Sequence, residues 1–329
     1  MMTTTRDRRP VRRRRRRSGK GMNGIVDTIK NVLKETDLVL GWTTDPVTGV
    51  ATPARFHDEK EAEQAVFDST CAHNLAVHLP RLKDSRVGIV AKGCDARSVI
   101  ELIIEHEVQR EQLAVIGVGC GSLLDVKKIW RRYGYGVAIK DRDDSLLIGG
   151  EQVNRDEFIQ RKCHGCLEAD PDIYDVIAGE VTGEIPTDTV RPHPLHDMFV
   201  SLTPAERRSF WREQFSRCIR CYACREVCPM CFCRDVCIMQ TQIPRWAGGA
   251  VDAKQSEMIQ LIRVNHLAGR CTGCGECERA CPVGIPLMLL LDEQNHAIEE
   301  MFAYGAGASL KARPPLLVFD VNKDIWGKG

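Results

Sequence analysis

Long apolar runs are missing from this 329-residue chain. A membrane-spanning helix needs roughly 18 uninterrupted apolar residues, and the longest candidates, around Val99–Ile104 and Leu287–Leu291, are far shorter. An integral membrane protein is not expected. Aromatic residues are few, at 6%, and do not alternate with basic ones as a nucleic-acid surface requires. No Gly-x-Ser-x-Gly elbow, phosphate loop or Gly-x-Gly-x-x-Gly element occurs, and Gly117-Val118-Gly119 alone is a poor nucleotide signal. Hydrophobic residues, by contrast, make up 43%, which excludes wholesale disorder. The length predicts two domains.

Net charge also looks absent, with 46 Lys+Arg against 45 Asp+Glu. The balance is misleading, because residues 1–21 hold ten of the basic residues and one acid, Asp7. The remaining body has 36 basic and 44 acidic residues. The tail, with Arg12–Arg17 among Thr, Pro, Gly and Ser, has nothing apolar to pack and is read as disordered. It suits either a polyanion-binding arm or a translated stretch upstream of Met22, and the second is expected, since a first helix is predicted over Gly24–Glu35. No apolar run follows the arginines, so a twin-arginine export signal is not supported and a cytoplasmic location is expected.

Cysteine is the abundant residue, with sixteen in all. Eleven crowd into residues 218–281, as pairs three apart that suit gripping a metal centre better than bridging distant strands. One pattern occurs twice: Cys218-Ile-Arg-Cys221-Tyr-Ala-Cys224-Arg-Glu-Val-Cys228-Pro229 and Cys271-Thr-Gly-Cys274-Gly-Glu-Cys277-Glu-Arg-Ala-Cys281-Pro282. This C-x2-C-x2-C-x3-C-P run is the signature of bacterial ferredoxins, in which the fourth cysteine ligates the other cluster. By that rule one 4Fe–4S cluster takes Cys218, Cys221, Cys224 and Cys281, and the other takes Cys271, Cys274, Cys277 and Cys228. Structural zinc needs only two separated Cys-x2-Cys pairs and leaves half of these thiols unexplained.

Between the copies lie residues 229–270, including a predicted helix Gln255–Leu267. Upstream, Thr203-Pro204-Ala205-Glu206 reads as a capping box with proline at the first helical position, leading a helix with Phe210, Trp211 and Phe215 into Cys218. Helices before, between and after the motifs predict an all-α carboxy-terminal domain, residues 196–329, which resembles the α-helical ferredoxin subunits of heterodisulfide reductase and fumarate reductase. Cys231, Cys233 and Cys237 are left over, either for a further centre, with Cys71, or as buried small hydrophobes, and the second reading is preferred.

Residues 86–120 read as a βαβ unit: strand Arg86–Ala91, helix Asp95–Val108, strand Leu113–Val118. Parallel neighbours would bring Cys94 and Cys120 to one carboxyl edge of a sheet, where α/β folds bind ligands. Cys163-His164-Gly165-Cys166 follows. These four thiols could hold a third cluster, a zinc knuckle or nothing. His73, His78, His164 and His266 are left unassigned.

The α/β domain, residues 22–195, resembles the coenzyme F-420 hydrogenase/dehydrogenase beta-subunit family, which includes formate dehydrogenase beta subunits. The resemblance rests on Gly93-Cys94, Gly117–Cys120, Arg161–Cys166 and Ile173–Glu180. It implies that Cys94, Cys120, Cys163 and Cys166 bind a third 4Fe–4S cluster beside a flavin, FAD. The family proline before the first cysteine is missing, an extra residue precedes Cys163, and Glu180 stands where the family has aspartate. The deazaflavin substrate is not carried over. The expected function is electron transfer within an anaerobic oxidoreductase complex, by a subunit that need not be catalytic alone. Expected partners are a formate dehydrogenase, hydrogenase or flavoprotein and a heterodisulfide-reductase-like module. The alternative is a flavin-bearing oxidoreductase that takes a hydride and feeds its own clusters.

Overall fold

The structure is a computed structural model, described here for residues 24–142, 145–164, 166, 169–179, 194–233, 236–237, 239 and 251–318. The arginine-rich tail and Glu180 lie outside these residues.

The amino-terminal half is α/β. Strands β1 (Leu38–Thr44), β2 (Ala51–Phe56), β3 (Val87–Ala91), β4 (Leu113–Gly117) and β8 (Val176–Ile177) form a five-stranded sheet in the order β2-β1-β3-β4-β8. β1, β3, β4 and β8 run parallel, and β2 is an antiparallel edge. Every residue of β3 is buried, as a central parallel strand covered on both faces requires. Pro53 is accommodated because β2 is at the edge, where a missing amide breaks no ladder.

The predicted βαβ unit is present, with Val87 paired to Leu113 and Ala91 to Gly117. Its helix runs over Gly93–Ile104, earlier than predicted at both ends. His106 adopts a left-handed backbone (φ 59°), which stops the helix before Val108. A second, three-stranded sheet of β5 (Ile139–Arg142), β6 (Ser145–Ile148) and β7 (Glu151–Val153) is present beyond the elements the sequence predicts. It closes a small core of Leu124, Ile129, Leu146, Ile148 and Phe158.

The carboxy-terminal half is helical. The capping box forms as read, Thr203 bonding the amide of Glu206 and the Glu206 carboxylate accepting from Thr203, and starts helix Pro204–Ser216. It packs against helix Ala253–His266, and helix Leu287–Phe302 follows the second cysteine motif. One continuous apolar core runs from Ile29 and Val39 through Ile116 to Phe215, Leu267 and Leu291. Polar contacts pin the halves together: Arg270 pairs with Glu105, Ser98 Oγ lies 2.9 Å from Thr272 Oγ1, and Tyr304 and the Gly307 amide donate to buried Glu101. Among the described residues no helix is long and apolar enough to cross a membrane.

Candidate metal centres

The repeated motif folds as two loops of one backbone design. The third and fifth residues of each are left-handed: Arg220 and Tyr222 (φ 53° and 59°) in the first loop, Gly273 and Gly275 (φ 69° and 70°) in the second. Alternating handedness turns successive amides toward one concave face, a nest for an anion. Each loop ends in a short helix, Ala223–Glu226 or Glu276–Ala280. Glycine meets this geometry freely, whereas Arg220 and Tyr222 hold it at about 1–2 kcal/mol each.

Cys218, Cys221, Cys224 and Cys281 line one cavity, with Tyr222, Gln260, Val283 and Ile285 completing its wall. The Gln260 amide nitrogen lies 3.9 Å from the sulfurs of both Cys218 and Cys224. The Ile285 amide donates to Cys281 Sγ at 3.3 Å. Cys228 faces the other three: Cys271, Cys274 and Cys277 each lie within its electrostatic reach. Amides of Gly273 and Glu276 donate to the sulfurs of Cys271 and Cys274. The motifs thus exchange their last cysteines in space.

A third group forms at the carboxyl edge of the parallel sheet. Cys94 is the second residue of helix Gly93–Ile104, just beyond β3. Cys120 follows β4, and its amide donates to Ala169 O at 3.0 Å, drawing the segment that carries Cys163 and Cys166 against that edge. Cys94 lies near Cys120, and Cys163 near both Cys120 and Cys166. Burial pushes the Cys94 thiol up to about 12 and Cys163 up to about 11. A bound cation reverses that preference, so metal uptake there would release protons.

Among the described residues, no three His, Cys, Asp or Glu side chains converge to hold a single metal ion. One zinc would draw its thiolates to about 3.8 Å from each other, as a Zn–S bond of about 2.3 Å in a tetrahedron dictates. The donor sets fit a larger anionic centre: eight thiols in two interleaved groups, amides aimed at sulfur, and buried cations. Arg263 is 1% exposed and none of its three guanidinium nitrogens has a nitrogen or oxygen partner among the described residues.

The cations are what sequence reading missed. Lys162 is buried between two groups, its Nζ donating to Cys274 O at 2.8 Å. Burial alone would lower its pKa, but Cys94, Glu276, Cys163 and Cys274 more than offset this and hold it protonated. Lys92 Nζ donates to Asp95 at 2.7 Å and His73 O at 2.8 Å and sits 4.6 Å from the Trp42 ring centroid. Lysines beside cysteines read as surface charge in sequence, and no periodicity marks them otherwise.

Of the remaining cysteines, Cys71 is fully buried, its thiol pushed up to about 12 by burial, and it behaves as core. The Cys231 amide donates to the Cys228 carbonyl at 3.1 Å. The Cys233 carbonyl accepts from Arg225, and Cys237 packs near Met239 and Ile259. His73 is pushed down to about 4, chiefly by burial, and stays neutral.

Residues 214–285 match the family model of a 4Fe-4S dicluster domain. The chain is similar to the F420-dependent formate dehydrogenase subunit beta of Methanocaldococcus jannaschii, at 23% identity over 295 residues, covering 71% of this chain and 77% of that one. It is likewise similar to the F420-dependent formate dehydrogenase 1 subunit beta of Methanococcus maripaludis, at 21% identity over 303 residues, covering 71% and 76%. A chain in a structure of the F420-reducing [NiFe] hydrogenase complex from Methanosarcina barkeri aligns at 12% identity and a TM-score of 0.37, covering 59% of this chain and 86% of that one.

Proposed function

We propose that the chain is an iron–sulfur electron-transfer subunit related to these beta subunits, a reading supported by the match of residues 214–285 to a 4Fe-4S dicluster domain. We propose that it holds three 4Fe–4S clusters in a row and works inside a cytoplasmic oxidoreductase complex. Cys94, Cys120, Cys163 and Cys166 would hold the first cluster, Cys271, Cys274, Cys277 and Cys228 the second, and Cys218, Cys221, Cys224 and Cys281 the third. Each cluster, when bound, takes up and gives back one electron without opening a coordination site to substrate.

The observation that carries this reading is the adjacency of the three cysteine groups. Lys162 reaches Cys274 O while flanked by Cys94 and Cys163, which ties the first group to the second. Cys224 lies within reach of Cys277, which ties the second to the third. Cys221 is exposed and Ile219 beside it is 56% exposed, so the last group reaches the surface where a partner can dock. The buried thiols, the Gln260 amide and the loop amides keep water out and direct donors at sulfur, which sets potential. On the example of the named relatives, the partner on one side is a formate-oxidising or hydrogen-oxidising subunit. FAD beside Cys94 and a heterodisulfide-reductase-like acceptor complete the proposal.

Anaerobic purification with iron, sulfide and flavin quantified alongside co-purifying subunits tests this. About twelve iron atoms per chain, reducible by dithionite, are expected. Colourless protein containing only zinc refutes it.

A further inference from the structure

Arg263 lies in the interior of helix Ala253–His266 and is 1% exposed. An unpaired guanidinium at such depth costs several kcal/mol, so buried arginines are ordinarily matched by carboxylates. Here no carboxylate or carbonyl is matched to it: Nε, Nη1 and Nη2 all lack a nitrogen or oxygen partner among the described residues. Although burial opposes its charge, four sulfurs, those of Cys277, Cys228, Cys224 and Cys231, hold the guanidinium well above its ordinary pKa.

These sulfurs do not belong to one group. Cys224 lines the cavity with Cys218, Cys221 and Cys281, while Cys228 and Cys277 sit with Cys271 and Cys274. We infer that Arg263 is a shared counter-ion wedged between the two carboxy-terminal clusters, a positioning and tuning residue for both. The inference rests on the three-cluster reading above. A 4Fe–4S centre with four thiolates is an anion whose charge grows by one on reduction, so a fixed cation nearby favours the reduced form. Because one guanidinium serves both sites, its field is shared, and an electron arriving on either side meets the same positive charge. Arginine suits the place better than lysine: it is planar, stays protonated, and offers five donors to two sulfur-rich faces.

The test is an EPR-monitored redox titration of the full chain, wild type against Arg263→Met and Arg263→Lys, with iron counted in each. Arg263→Met is expected to move two of the three reducible centres to more negative potential and leave the third in place, and Arg263→Lys to move the same two by less. Unchanged potentials in Arg263→Met, or movement of only one centre, overturn the inference. If Arg263→Met loses iron, retention in Arg263→Lys supports the need for charge, and loss in both refutes it. Absence of reducible centres in the wild type would instead defeat the proposed function, so the two failures are told apart.

Discussion

Gly273 and Gly275 occupy equivalent turns of one loop and share one backbone conformation, yet their surroundings differ, which makes a controlled pair. A Cβ added at Gly273 (φ 69°) meets nothing within 4 Å. At Gly275 (φ 70°) it would stand 2.8 Å from Cδ, 3.0 Å from Cβ and 3.2 Å from Cγ of Lys162. These are atoms near the root of a buried side chain whose tip is tethered to Cys274 O, so Lys162 cannot swing aside without breaking that bond. Both alanine variants incur left-handed strain of about 1–2 kcal/mol. Gly275→Ala adds a displaced charged hydrogen bond, worth about 1.5–3 kcal/mol. At about 2–4 °C per kcal/mol for chains of this size class, Gly273→Ala should lower the apparent melting temperature by about 2–8 °C, and Gly275→Ala by about 3–12 °C more. Anaerobic thermal scans at one heating rate measure it. Arg220 and Tyr222 show that side chains are tolerated at these turns, so Gly273→Ala is expected to fold. Equal losses for the two variants would refute the claim that Lys162 is clamped between the amino-terminal cysteines and the second motif.

Three other perturbations probe separate links. Cys281→Ala, although it lies in the second motif, should remove the cluster of the first, lowering iron from about twelve to about eight atoms while signals of the Cys271–Cys277 loop persist; loss of the second motif's own signal would refute the exchange. Asp95→Asn leaves the Lys92 ammonium buried without its partner and should cost about 3–5 kcal/mol in anaerobic denaturant titration, and a loss below 1 kcal/mol would show the pair is dispensable. Glu101 is raised to about 7 from 4.5, chiefly by burial, so the folded state binds its proton more tightly than the unfolded chain. Its contribution to stability is therefore present at low pH and fades as pH rises from about 4.5 to about 7. Glu101→Gln keeps an acceptor for Tyr304 and Gly307 and should flatten that slope, so parallel stability profiles of variant and wild type between pH 5 and 8 would contradict this assignment.

What the sequence discloses about this site divides along chain distance. The repeated cysteine motifs are legible because each gathers its four cysteines into one short stretch of chain, and the capping box at Thr203–Glu206 because a helix start is a local hydrogen-bonding problem. Even the meeting of Cys94 with Cys120 is legible, since parallel strands deliver their ends to one edge. The β1–β2 hairpin escapes because Pro53 breaks the expected strand pattern, and only the edge position revealed by folding excuses it. The small β5–β7 sheet has a readable trace in Gly149-Gly150 directly after apolar Leu146–Ile148, a hairpin signal, but polar Glu151-Gln152 on the far side hides the second strand. Lys162 and Arg263 left none. A buried cation is improbable from composition alone, and it becomes favourable only once groups apart in the chain, Cys94 and Cys274 for Lys162, Cys224 and Cys228 for Arg263, are folded against it. The cysteine motifs are therefore written locally, while the charges facing them are supplied by tertiary structure. Substitutions that spare every cysteine, such as those at Arg263 and Gly275, are for that reason the sharper probes of how this chain handles electrons.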